Sequence, residues 1–217
     1  MKQPVFLGSI AVIALVAGVW LALNIAPPSV SEPAYAQMYP APRMLNDGEL
    51  NGHDGSTITP DWFKDQWTLV FVGYTWCPDI CPTTLAELKR IYPQLTKLSE
   101  HPPVKVLFIS VDPGRDDTAR LKQYIEFFNP DFYAATAEHK QLFPFIRSMG
   151  MAYAIAESTD KPDYLVDHSA SMVIVNPDGH VIGRFKPDHK PGQLAISDAQ
   201  QILADMPLIM ARYQARD

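Results

Sequence analysis

The chain has 217 residues, 47% of them apolar, with a formal net charge of -6 and a sequence pI of about 5.5. No basic patch stands out, which speaks against a nucleic-acid partner, and two cysteines in so long a chain exclude a disulfide-stapled scaffold. With an N-terminal segment set aside, about 170 residues remain, enough for one domain with its own core.

Val5 to Ala26, VFLGSIAVIALVAGVWLALNIA, contains no charged residue. As a helix it rises about 33 Å, close to the thickness of a bilayer core, and it is long for the apolar stretch of a signal peptide. Residues 1–26 are therefore expected to form an N-terminal transmembrane helix. Lys2 before the run favours an inside N-terminus and an exported body. Ala34-Tyr35-Ala36 has the A-x-A form of a leader cleavage site, but it lies well beyond the apolar run, so an uncleaved anchor is the expectation. Residues 27–43 hold five prolines and no core-forming pattern, which reads as a proline-rich tether. The soluble domain is expected over 44–217.

Within that domain, Leu45 to Thr59 carries several glycine turn signals and reads as a short hairpin. Thr68 to Tyr74 (TLVFVGY) is an apolar run suited to a buried strand. Leu85, Leu88, Ile91, Leu95 and Leu98 recur at helical spacing, with Pro93 expected to kink that helix. Val104 to Val111 reads as a second buried strand, 117–128 and 138–149 as helices, and Met151 to Ala156 as a strand. Ser171 to Asn176 and His180 to Phe185 are two strands joined by the turn Pro177-Asp178-Gly179. A closing helix is expected from about Gly192 to Arg212. The first strand pair, linked through a helix, should be parallel with a right-handed crossover. The order predicts an α/β domain with a mixed sheet flanked by helices, the thioredoxin-like fold.

Both cysteines lie in YTWCPDICPTTLAEL, where Cys77 and Cys81 are four positions apart. Each precedes a proline, which pushes it away from helical backbone angles. The pair is expected in a loop curling from strand into helix, with Cys81 as the cap and Pro82 as the first helical residue. A helix N-terminus there favours thiolate. Three chemistries are open: a structural disulfide, which would close only a tiny loop; thiol-disulfide exchange, since Trp76-Cys77-Pro78 resembles thioredoxin-type sites although those have two intervening residues; and a soft metal site. Two thiolates alone suit Cu(I), and adding an imidazole suits copper in either oxidation state. A structural zinc site wants a fourth protein ligand. Of six histidines, His53, His101, His139, His180 and His189 fall in turns, loops, a helix start or polar surroundings. His168 comes just before the strand at Ser171, and on the predicted fold that strand start lies beside the cysteine loop.

Three motifs in order, YTWCPDICPTTLAEL, ISVDPGRDD and DYLVDHSASMVIVNPDG, resemble the Sco/SenC family over about Asn46 to Leu208. The resemblance implies a membrane-anchored copper-binding protein with a thioredoxin-like fold, involved in assembling cytochrome c oxidase. It implies copper ligands at Cys77, Cys81 and His168, all three intact. Gly114 and Asp117 stand where family members commonly have glutamate and threonine; neither is a ligand position. Asp79 is also family-like, as a group setting charge near the metal or contacting a partner, or as a solvated turn residue. Asp167 is expected to point away from the site, because adjacent strand residues face opposite sides.

The resemblance implies a copper chaperone serving the binuclear copper centre of cytochrome c oxidase subunit II, loaded by an upstream periplasmic copper donor. Anchoring would raise the effective concentration of donor and acceptor on one membrane surface. The rival reading is a periplasmic thiol-disulfide oxidoreductase that reduces the cysteines of a copper-receiving partner, with Cys77 and Cys81 as its catalytic pair. A copper or redox sensor and a peroxiredoxin-like peroxidase are weaker alternatives. The N-terminus lacks an Arg-rich transit peptide, so the expected location is a bacterial inner membrane with the domain in the periplasm.

Overall fold

The computed structural model describes residues 3–25, 31–99, 101–155, 163–187 and 194–215, together with 159, 189, 191 and 192. The chain falls into two compact units, Pro33–Pro207 and Met1–Glu32 with Leu208–Asp217.

In the second of these, α1 spans Gln3–Ile25. Among the described residues no helix is long and apolar enough to cross a membrane. The predicted end of the anchor at Ala26 and the first tether residues, 27–30, lie outside the described residues. Arg212 donates to Glu32 at 3.0 Å.

The larger unit is built on an eight-stranded sheet: β1 (Gln37–Met44), β2 (Leu50–Gly52), β3 (Thr57–Ile58), β4 (Trp67–Gly73), β5 (Val104–Ser110), β6 (Tyr133–Thr136), β9 (Met172–Val175) and β10 (His180–Phe185), ordered β1-β10-β9-β4-β5-β6-β2-β3. A separate two-stranded sheet pairs β7 (Tyr153–Ile155) with β8 (Val166–His168). The helices are α2 (Ile80–Leu95), α3 (Thr118–Phe128), α4 (His139–Ser148) and α5 (Ala199–Gln214). β4 and β5 pair in parallel from Trp67↔Val104 to Gly73↔Ser110, as the helix-linked strand order requires. β9 pairs antiparallel to the other side of β4. The result is the mixed, helix-flanked α/β sheet expected of the thioredoxin-like class.

Every residue of β4 is buried, so its near-continuous apolar run fits a strand covered on both faces. Alternation divides those residues between two cores. Val70, Val72, Leu107, Ile109, Val173 and Val175 pack in one cluster with Leu142, Phe145 and Ile146 of α4. Phe71 meets Phe108, and Phe108 meets Tyr124 of α3, on the other face.

Three expectations are corrected. Gln37–Met44 is not part of a tether but an edge strand, paired antiparallel with β10. Pro40 and Pro42 are tolerated because the register shifts between Met38 and Arg43, leaving them outside the paired positions. Just before it, the backbone N–H groups of Ala34, Tyr35 and Ala36 donate to the Asp205 carboxylate at 3.0, 2.7 and 2.7 Å, which fixes the chain entry. Second, α5 begins at Ala199, with Asp198 accepting from the N–H groups of Gln200 and Gln201, so residues 194–198 are not helical. Third, α2 starts about two residues earlier than predicted: Asp79 is its cap and Cys81 lies inside its first turn. Pro82 is accommodated because the first N–H groups of a helix have no intrahelical acceptor to lose.

Candidate metal centre

β4 ends at Gly73, and the chain turns through Tyr74-Thr75-Trp76 into the cysteine segment, with the Cys77 N–H donating to the Tyr74 carbonyl at 3.2 Å. Cys77 is half-buried and Cys81 fully buried, and both are free thiols. Cys81 fits only because Gly73 lacks a side chain: a Cβ there would stand 2.5 Å from its Sγ and 2.8 Å from the Phe108 ring.

The segment is held from below by Asp116, itself wholly buried. Its carboxylate accepts from the Thr75 N–H at 2.8 Å, the Thr75 hydroxyl at 2.6 Å and the Ser110 hydroxyl at 2.6 Å. Burial pushes the Asp116 carboxyl up, against the pull of those three donors. Arg120 donates to the Thr75 Oγ1 at 3.2 Å and lies 5.6 Å from the ring of exposed Trp76.

His168 arrives on β8, opposite Tyr153 of β7. Its Nε2 is 3.5 Å from the Cys81 Sγ. Its Nδ1 lies 3.3 Å from the Ser169 carbonyl, an oxygen that can only accept. With Nδ1 directed to that carbonyl, Nε2 is the ring nitrogen that faces the sulfurs as a ligand atom. The rings of Phe71 and Tyr74 stand edge-on to the imidazole at 6.1 and 5.9 Å. The structure thus brings together all three predicted residues: the ligand atoms of Cys77, Cys81 and His168 lie within 4.8 Å of one another, a group able to hold a metal ion.

The two thiols are unlike. A hydrogen bond from Cys81, helped by His168, draws Cys77 down to about 3 despite its partial burial. Burial, then the neighbouring Cys77, pushes the Cys81 thiol well up. The shifts are opposite in direction, favouring thiolate at Cys77 and the protonated thiol at Cys81.

Other candidates fall elsewhere. His53 contacts the Ala134 carbonyl and His139 the Tyr153 hydroxyl. Asp167 is exposed, as strand alternation predicts, and the imidazole turns to Ser169 instead. Asp79 is exposed and makes no side-chain cap bond. Sequence reasoning missed the roles of Asp112, Arg115 and Asp116. They stood in the quoted ISVDPGRDD motif, but only the fold shows that this turn sits against the cysteine segment.

The SCO1/SenC family model matches residues 37–203, so the chain belongs to that family. The human mitochondrial SCO2 homolog is 37% identical over 133 residues, covering 61% of this chain and 50% of that protein. The chain spans about half the length of the mammalian relatives it matches. A Stutzerimonas stutzeri protein described as copper-binding is 32% identical over 149 residues, 69% of this chain and 72% of its own. The crystal structure of Arabidopsis thaliana ScoI with copper bound superposes with a TM-score of 0.66 at 27% identity, over 78% of this chain and 99% of that one.

Proposed function

We propose that this protein binds copper through Cys77, Cys81 and His168, receives it from an upstream periplasmic donor, and delivers it to the binuclear copper centre of cytochrome c oxidase subunit II. The observation that carries the reading is the convergence of two sulfurs and one imidazole nitrogen, ligand atoms within 4.8 Å of one another. Two soft sulfur donors with one imidazole form a set suited to copper in either oxidation state and one ligand short of a structural zinc site. The relatives described as copper-binding or copper-bound support the same cargo. Cys77 is already thiolate, so metal entry displaces a single thiol proton, that of Cys81. Half exposure of Cys77 gives an acceptor's ligands a point of attack. The charge-free run Val5 to Ala26 supports anchoring in a bacterial inner membrane with the domain in the periplasm.

Copper titration of the reduced chain tests the ligand set. The native protein should take up one copper per chain with sulfur-to-copper charge transfer. Cys77→Ser and Cys81→Ser should each lose tight binding; stoichiometric copper in either would overturn the assignment. His168→Ala should keep the sulfur signal, shift it, and hold copper less tightly than the native chain.

The unequal thiols favour a second reading, thiol-disulfide exchange with a copper-receiving partner. The Cys77 thiolate would attack the partner's disulfide, releasing one partner thiolate. Cys81, losing its proton, would then displace the other sulfur. The partner gains two electrons, and Cys77 and Cys81 end as a disulfide. Exchange does not need the imidazole, so an intact biological role in His168→Ala would favour it over copper delivery.

A further inference from the structure

The two halves of the site belong to different sheets. The cysteines follow β4, at the centre of the main sheet, whereas among the described residues β8 pairs only with β7. Among the described residues no strand ladder joins β8 to β4, so main-chain pairing there does not set the reach of the imidazole to the sulfurs.

The turn Asp112–Asp116 spans that gap. It is rigid: the N–H groups of Arg115 and Asp116 both donate to the Asp112 carbonyl, at 3.1 and 2.9 Å, and the Val111 N–H donates to the Gly73 carbonyl at 2.9 Å. On the sulfur side it grips Thr75 through Asp116. On the imidazole side it grips Tyr164, four residues before His168. The Tyr164 hydroxyl donates to the Asp112 carboxylate, and Arg115 Nη2 donates to the Tyr164 carbonyl at 2.9 Å. The Arg115 guanidinium lies 3.5 Å over the Tyr164 ring while its Nε donates to Asp112. The same guanidinium is 5.6 Å from the ring of Tyr74 and 5.8 Å from that of Trp76, both in the cysteine segment. Tyr74 in turn stands edge-on to His168 and meets the Val166 backbone. Arg115 is therefore in contact with both halves at once, and its side chain is 13% exposed against 2% for Asp112. A planar guanidinium can stack on a ring and fork to two acceptors together, which an ammonium cannot.

We propose that Arg115, oriented by Asp112, is a positioning residue: it clamps Tyr164 and so sets whether His168 joins Cys77 and Cys81 as the third ligand. With the clamp intact the donor set is two sulfurs and a nitrogen. With it released the set falls to the two sulfurs. The proposal rests on the copper-binding reading and extends it to residues that touch neither copper nor its ligands.

The test uses the full chain carrying one equivalent of Cu(II), in native, Arg115→Lys, Tyr164→Phe, His168→Ala and the double variant Arg115→Lys with His168→Ala. Arg115→Lys keeps the buried charge beside Asp112, and Tyr164→Phe removes only a hydroxyl, so both are chosen to fold. Sulfur-to-copper charge transfer reports the thiolates, pulsed EPR reports the imidazole nitrogen, and competition with a chelator reports affinity. Both single clamp variants should keep the sulfur signal, lose imidazole nitrogen coupling, and release copper about tenfold more readily. The double variant should bind no more weakly than His168→Ala alone, because the clamp acts through that residue. Unchanged nitrogen coupling in both clamp variants overturns the clamp and leaves copper binding standing. A further loss in the double variant, or loss of sulfur and nitrogen signals together, also overturns it. Absence of a copper–sulfur signal in the native chain overturns the copper reading instead.

Discussion

The cysteine half and the histidine half of this site are built by different means. Cys81 is packed into the main sheet: Gly73 makes room for its sulfur, Phe108 walls it, and Asp116 ties the segment to the turn after β5. His168 sits on a three-residue strand of a two-stranded sheet and reaches the sulfurs from outside. The sulfurs are placed by burial and local backbone, the imidazole by side-chain contacts far apart in sequence. A site assembled this way has a fixed part that stores the ligand atoms and an adjustable part that completes them. On the proposed copper-delivery reading, the adjustable ligand is the natural point of control.

The comparison is tested hardest by thiol reactivity. If the hydrogen bond from Cys81 outweighs burial at Cys77, its thiolate persists far into acid. An ordinary thiol, with a pKa near about 8.5, loses roughly tenfold in alkylation rate per pH unit below that value. Cys77, drawn to about 3, should alkylate at a nearly constant rate from about pH 8 to about pH 5, with Cys81 silent throughout. The stability sign follows. A depressed folded pKa means that the thiolate stabilises the fold above the unfolded value and that this support is lost as pH falls toward about 3. Mass mapping of iodoacetamide adducts against pH checks this. A rate that falls tenfold per unit would show that the buried partner does not govern Cys77.

Much of the cysteine half was legible in the sequence, and the histidine half was less so. The apolar run before Cys77 and the leucine spacing after Cys81 announce a strand, a loop and a helix by local pattern alone. Placing His168 required knowing that β9 returns beside β4, a long-range pairing with no local signature. The small β7–β8 sheet was half seen: the β7 region read as a strand, but three residues of β8 are too few to show a period. Gln37–Met44 misled because prolines suggest a tether, while a strand at a sheet edge tolerates them where its ladder is interrupted. Asp116 looked like any charged turn residue, since one sequence cannot show that the fold buries it.

A second substitution presses on the fixed half alone. In Gly73→Ala the new methyl would lie 2.5 Å from the Cys81 Sγ and 2.8 Å from Phe108. The strand is central and the ring is buried, so neither can yield freely, and overpacking of this kind costs about 1–3 kcal/mol. The unfolding free energy read from urea melts should fall by that amount, and the copper–sulfur signal should weaken while Arg115 and Tyr164 remain in place. Full stability in the variant would mean that Cys81 is not held by close packing against β4.

The smallest effect concerns the anchor below the cysteine segment. Asp116→Asn keeps one acceptor for Thr75, and the two hydroxyls can rotate to meet the amide, so the expected loss is about 1 kcal/mol at neutral pH. The pH dependence is more telling than the size. Burial raises the folded-state pKa of Asp116 above the ordinary carboxylate value, so its charge costs stability as pH rises through the ordinary value toward the folded one. The variant has no such charge. The native protein's advantage over Asp116→Asn should therefore be greatest in acid and shrink as pH rises past the ordinary carboxylate range, which paired urea melts at about pH 4 and about pH 7 would read directly. An advantage that instead grows toward neutral pH would mean that the three donors, not burial, dominate this carboxylate, and that the cysteine segment is held by charge as much as by packing.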